Sequence, residues 1–223
     1  MIINDIKFMN SEGYLLKENT LSLNECESQM RKIQYDLIYN NYRGHKDENG
    51  VEKTQFPSVI FAFYNIVFNH SKIPSPSELL DEYYSIYSSE IITNENFVTY
   101  KNRVFNKQDL DARILRTYPS LVRDYHFYLL LVETGCFDKV IYSCKNDIAG
   151  KDLLVCHYGK EYVLSLFVKT RRSDFFKTIK NSFRHNYGKN EIQLPLDLNK
   201  ATKCGDFFVY DNNDVEKVKT IIL

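Results

Sequence analysis

The 223-residue sequence contains no tryptophan, only eight glycines, five prolines and five cysteines, and no apolar run long enough to span a bilayer. Each shortage removes a class. A membrane-spanning helix needs about 20 consecutive apolar residues, so no span is expected. The N-terminus, Met1-Ile2-Ile3-Asn4-Asp5-Ile6-Lys7, lacks a basic segment followed by an apolar stretch, so no secretion signal is expected either. The thiols, Cys26, Cys136, Cys144, Cys156 and Cys204, are odd in number, widely spaced and without a CxxC pair. That pattern suits neither a disulfide framework nor a common zinc site, even with His157 beside Cys156. Free cysteines of this kind serve as small buried hydrophobes, and a reduced, cytoplasmic setting is expected. There is no phosphate-cradling glycine loop, dinucleotide fingerprint or nucleophile triad. Nucleotide triphosphate hydrolysis, hydride transfer and acyl transfer are left without a sequence signal.

Enough apolar mass is present for a core, with 43 % hydrophobic and 14 % aromatic residues. This excludes intrinsic disorder and suits one large domain or two small ones. The bias towards Asn, Lys, Ile and Tyr is one common where coding DNA is AT-rich, as in low-GC bacteria and their phages.

The first 110 residues read as a helical region. Met30, Ile33, Leu37 and Ile38 recur at three- and four-residue intervals, the period of one helical face. Residues 43–50 are polar, with glycines near both ends, and predict a loop. Residues 56–68 form an aromatic-rich run that predicts a buried helix with Pro57 in its first turn. The break Pro74-Ser75-Pro76-Ser77 precedes a helix expected from Glu78 to about Ser88. Residues 93–109 are of mixed polarity and predict no element.

From residue 111 onwards the texture changes. Residues 120–134 predict a helix that stops at Gly135. Residues 139–144, 153–158 and 162–169 predict strands, the last two joined through Gly159-Lys160-Glu161 as a hairpin. Ser173 can cap a helix over 174–184. Residues 191–195 and 206–210 read as further strands, and a short tail helix or strand begins at Val215. Over 120–196 the order is α, β, β, β, α, β.

That order resembles the core of the PD-(D/E)XK nuclease-like superfamily. In that superfamily an acidic residue opens the second core strand, and an acid-x-Lys triplet lies on the third. Asp152, just before Leu153-Leu154-Val155, matches the first position, and Lys169, closing Ser165-Leu166-Phe167-Val168-Lys169, matches the lysine. Phe167 stands where the second acid is expected. The resemblance implies an α+β fold: a helical region over 1–110, then an αβββαβ restriction-endonuclease-like domain over 111–223. It implies a nucleic-acid partner and, if the site is catalytic, Mg²⁺-dependent phosphodiester hydrolysis by an endonuclease. Asp152 would hold the ion, which polarises the phosphate and activates water, while Lys169 steadies developing charge. Such a site needs a second carboxylate. Asp147, five residues earlier, is assigned that role, with Asp124, Glu133 and Asp174 as alternatives.

Plainer readings stand beside these. Asp152 suits a turn, Lys169 an exposed strand end, and His126 a hydrogen-bonded structural histidine. Arg123 and Asp124 can pair locally, or Asp124 with Arg116. Phe167 also favours a rival: a catalytically inactive nuclease-like binding protein, such as a phage or mobile-element accessory factor. A third reading uses residues 56–68 and Tyr83-Tyr84 as a protein-partner or homodimer surface.

Net charge is the last shortage. Lys+Arg and Asp+Glu both number 29, which argues against wholesale coating of polyanions. The balance is uneven along the chain. Lys169, Arg171, Arg172, Lys177, Lys180, Arg184 and Lys189 face one acid, Asp174. Lys177, Lys180 and Arg184 fall at helical spacing on one face, and with Arg171 and Arg172 they are the candidate phosphate contacts.

Overall fold

The computed structural model describes residues 21–169 and 190–223. The expected helix over 174–184 lies outside the described residues, together with Arg171, Arg172, Asp174, Lys177, Lys180, Arg184 and Lys189.

Side-chain caps fix where the first helices begin. Ser22 opens α1 (Leu23–Met30) and Ser75 opens α4 (Pro76–Ile86), each in a capping box closed by Glu25 or Glu78. Pro76 occupies the first turn of α4, where its missing N–H goes unused. The single helix expected through Ile38 is instead broken, and α2 (Tyr35–Asn40) starts afresh. A distant turn explains the break. Gly205 (φ +59°) approaches α1 so closely that a Cβ there would sit 2.7 Å from the Met30 carbonyl. Its neighbour Asp206 accepts a hydrogen bond from the Asp36 N–H at 3.0 Å, capping α2 from outside. Next, α3 (Ile60–His70) buries Phe63, Tyr64, Val67 and Phe68.

α5 (Lys107–Thr134) is the 28-residue axis of the fold. Sequence reasoning places its start near Ser120, but the helix runs straight through Pro119 and across the expected regional boundary at residue 110. Proline cannot donate to the carbonyl four residues back. That carbonyl, Leu115 O, instead accepts from the Tyr35 hydroxyl at 3.0 Å. The helix stops at Gly135, whose φ of +61° is a left-handed cap.

Of the strands in the two small sheets, only the last, β9 (Phe207–Val209), falls where a strand is expected, within 206–210. β1 (Ile91–Thr93), β2 (Phe97–Tyr100) and β3 (Arg103–Asn106) form an antiparallel meander. Lys101 and Asn102 turn β2 into β3 with positive φ at both positions, and Tyr100 and Phe105 pack on Phe56. β8 (Thr202–Cys204) and β9 (Phe207–Val209) form a hairpin before the last helix, α7 (Asn212–Ile222).

The principal sheet holds β4 (Lys139–Ile141), β5 (Leu153–His157), β6 (Lys160–Val168) and β7 (Glu191–Leu196) in that spatial order. β4, β5 and β6 are antiparallel neighbours, and β7 lies parallel to β6. The hairpin turn is Tyr158-Gly159, both at positive φ, the geometry that matches strand twist. β4 ends at Ile141, and α6 (Cys144–Ile148), capped by Ser143, occupies the chain before β5. One buried apolar cluster joins α3 and α4 to α5 and to Leu153, Val155, Leu164, Leu166, Ile192 and Leu194 of the sheet. The chain is thus a mixed α+β fold with a continuous core. Among the described residues no helix is long and apolar enough to cross a membrane.

Candidate carboxylate site

Three short-range features bring acids together at one end of the principal sheet. Gly150 (φ +78°) turns the chain out of α6 and into β5, so Asp147 on α6 and Asp152 at the strand entrance lie either side of a tight bend. The Asp152 carboxylate accepts from the Leu166 N–H of β6 at 2.6 Å, which ties it to the strand that Lys169 follows. From α5, Asp124 enters beside Arg123, whose Nε lies 3.3 Å from its Oδ1.

These carboxylates sense one another. Burial raises the Asp124 pKa to about 7; the Arg123 guanidinium opposes the rise and the Asp152 charge adds to it. Burial likewise raises Asp147 to about 8, with Asp124 and Asp152 adding and the Tyr64 hydroxyl opposing. Like charges sharing a low-dielectric site cannot all ionise cheaply. Buried carboxylates this close to one another keep protons near neutral pH unless a cation compensates them, and among the described residues the Arg123 guanidinium is the charge that opposes the rise at Asp124.

Two phenols complete the surroundings. Tyr64 on α3 and Tyr142 between β4 and α6 are fully buried, their ring centroids 4.6 Å apart. Neither hydroxyl has a hydrogen-bond partner among the described residues. A buried polar atom left so costs about 1–3 kcal/mol. The Tyr64 hydroxyl lies against Asp147 closely enough to favour its ionised form, yet without hydrogen-bond geometry. Tyr142 also senses Asp147 and Asp124.

At the neighbouring strand, Phe167 N–H donates to the Tyr210 hydroxyl at 3.0 Å, and that hydroxyl donates to Leu194 O at 2.9 Å. Tyr210 thereby bridges β6 and β7 at the rung where the superfamily pattern has its acid. Lys169 follows, exposed, its N–H donating to Leu196 O at 2.9 Å. Its charge is not among those that shift Asp124 or Asp147.

Of the sequence candidates, Asp152, Asp147 and Asp124 therefore come together. Glu133 lies elsewhere, accepting from the Leu23 N–H at 2.7 Å where α1 begins. His126 is buried, with Nε2 3.3 Å from Glu27, and burial holds its pKa below the ordinary histidine value. It is structural. Arg123 pairs with Asp124 as the local reading anticipates, whereas Arg116 pairs with Glu52. Tyr64 and Tyr142 carried no sequence signal. Tyr64 sits in an apolar run in which any aromatic reads as core.

The donor set is all oxygen, which suits a hard cation such as Mg²⁺ or Mn²⁺ better than zinc. Among the described residues no group of three or more His, Cys, Asp or Glu side chains is arranged to hold one ion. An ion here would take two of the carboxylates at most, the number Mg²⁺ commonly uses beside water and substrate phosphate. No protein-family model, curated protein or solved structure matches the chain.

Proposed function

We propose that the chain is a nucleic-acid-engaging, nuclease-like protein with a restriction-endonuclease-like core, and that it hydrolyses phosphodiesters with Mg²⁺. The observation that carries this reading is the convergence of Asp124 and Asp147 on Asp152, at the entrance to β5 and beside β6, the strand that Lys169 follows. The sheet supports it as well. α5 is followed by β4, β5 and β6, antiparallel neighbours, and by β7 parallel to β6, which suits an αβββαβ order in which α6 is inserted between β4 and β5 and the second helix would fall outside the described residues.

Asp152 with Asp147 or Asp124 would hold the ion, which when bound polarises the phosphate and activates water. Lys169, exposed at the strand exit, would steady charge on the substrate. Asp124 takes over the part of the acid that Phe167 replaces, and Arg123 orients it. The basic residues Arg171, Arg172, Lys177, Lys180 and Arg184 follow directly in sequence and would contact phosphates.

One observation favours the inactive binding protein instead. Phe167 removes a charged ligand, and the described residues offer no three-ligand group. Cleavage of DNA and RNA by the wild type, Asp152→Ala and Lys169→Ala with Mg²⁺ or Mn²⁺ separates the two. Activity lost in both variants supports the enzyme, and no activity with either metal supports the binder.

A further inference from the structure

We propose that the cavity between α3, α4 and α5 is a binding site for a small monocarboxylate with a compact aromatic body, held at its carboxylate by Arg113. None of the three aspartates lines this cavity, so it is separate from the carboxylate site.

The cavity has a volume of about 290 Å³, close to the lower bound of about 300 Å³ for small-ligand pockets. Its walls are apolar: Phe56 before α3, Val59 and Ile60 at its start, Tyr83 of α4, and Leu110 and Ile114 of α5. The Tyr83 hydroxyl already donates to Pro57 O at 3.1 Å, so it has no further proton to offer. Residues 57 to 60 are half-buried, which puts one side of the cavity within reach of solvent.

Arg113 is the exception to these apolar walls. Among the described residues that line the cavity it alone is charged. Its neighbours on α5 are neutralised, Lys107 by Asp111 and Arg116 by Glu52, whereas Arg113 pairs with no carboxylate among the described residues. Its Nη1 donates to Val51 O and, at 2.7 Å, to Thr54 O. Nε and Nη2 make no hydrogen bond among the described residues, and these two form the fork that takes a carboxylate through parallel bonds. The guanidinium lies 5.8 Å from the Phe56 ring centroid, so the cation and an aromatic wall adjoin.

A half-buried charge without a counter-ion is costly, and an anion restores the balance. The walls select what lies behind that anion. The Phe56 and Tyr83 rings suit an aromatic body, and one guanidinium among apolar side chains leaves the further charges of a polyphosphate unmet.

Fluorine NMR of 4-fluorophenylacetate, and of the uncharged 4-fluorophenylacetamide of similar shape, titrated with the full chain, tests this in wild type, Arg113→Gln and Val59→Trp. The first variant removes the charge. The second fills the cavity and leaves Arg113 in place, and circular dichroism checks that each folds. The expected result is saturable binding of the carboxylate by the wild type, at least about 10-fold tighter than the amide, with that preference lost in Arg113→Gln and neither probe bound by Val59→Trp. Arg113 also holds residues 51 and 54, so if Arg113→Gln does not fold, Val59→Trp and the comparison of acid with amide decide the matter. A purely structural Arg113 gives no discrimination between acid and amide. A wild type that binds neither probe, or both equally, overturns the proposal. So does a carboxylate preference that survives Arg113→Gln, or binding undiminished in Val59→Trp.

Discussion

Tyr35→Phe isolates one hydrogen bond on which the continuity of α5 depends. Pro119 leaves the Leu115 carbonyl without its helical donor, and Leu115 is fully buried. The Tyr35 hydroxyl, 3.0 Å away, is its replacement partner. Phenylalanine keeps the ring, with its stacking on Tyr39 at 5.5 Å and its contacts with Tyr118 and Phe207. The change therefore removes little apolar burial and exposes a lone buried acceptor, at a cost of about 1–3 kcal/mol. For a chain of this length, about 2 kcal/mol corresponds to a fall of roughly 4–8 °C in Tm. A second substitution supplies the control. Pro119→Ala restores an N–H that can donate to Leu115 O, so in that background Tyr35→Phe should cost about 1 kcal/mol less or better. Urea unfolding of the four proteins gives the coupling. Equal costs in both backgrounds would refute the account, because the hydroxyl would then be serving something other than the carbonyl freed by proline. The consequence reaches the site, since Asp124 lies just over one turn beyond Pro119 on the same helix.

Two further outcomes are expected. Asp124 and Asp147, at about 7 and about 8 in the fold against an ordinary 3.8, bind protons that the unfolded chain has already released. Their contribution is fully present below about pH 4 and is lost as pH rises towards about 8. In chelator, wild-type stability to urea should therefore fall across that window more steeply than that of Asp147→Asn; parallel pH profiles would contradict this. If Lys177 and Lys180 each neutralise a phosphate, Lys177→Ala with Lys180→Ala should lower the slope of log affinity for duplex DNA against log salt by up to about 1.8. An unchanged slope would mean that neither lysine meets a phosphate.

Sequence pattern reaches local punctuation well and distant insertion poorly. Gly135 ends α5 as expected because only a left-handed residue caps it cleanly, and the hairpin at Tyr158-Gly159 follows from its glycine and the β-rich flanks. The strands β5, β6 and β7 were legible from their Val, Leu and Ile content. The split between α1 and α2 was not, because its cause, Gly205 and Asp206, lies far along the chain. Nor was the passage of α5 through Pro119, since the compensating hydroxyl belongs to Tyr35. β1 to β3 were missed because each is three or four residues long and the polar turn at Lys101-Asn102 resembles any loop. At the candidate site, Asp152 follows from the element order, Asp147 is the second carboxylate assigned from sequence, and Asp124 stands there only as an alternative.

The most direct test of the nuclease-like reading is metal-dependent cleavage of single- and double-stranded DNA and RNA by wild type, Asp152→Ala and Lys169→Ala under identical Mg²⁺ or Mn²⁺. The expected result is cleavage by the wild type that chelator stops and that both substitutions abolish. Equal cleavage by all three proteins, or none by the wild type with either metal, would contradict phosphodiester hydrolysis at Asp152.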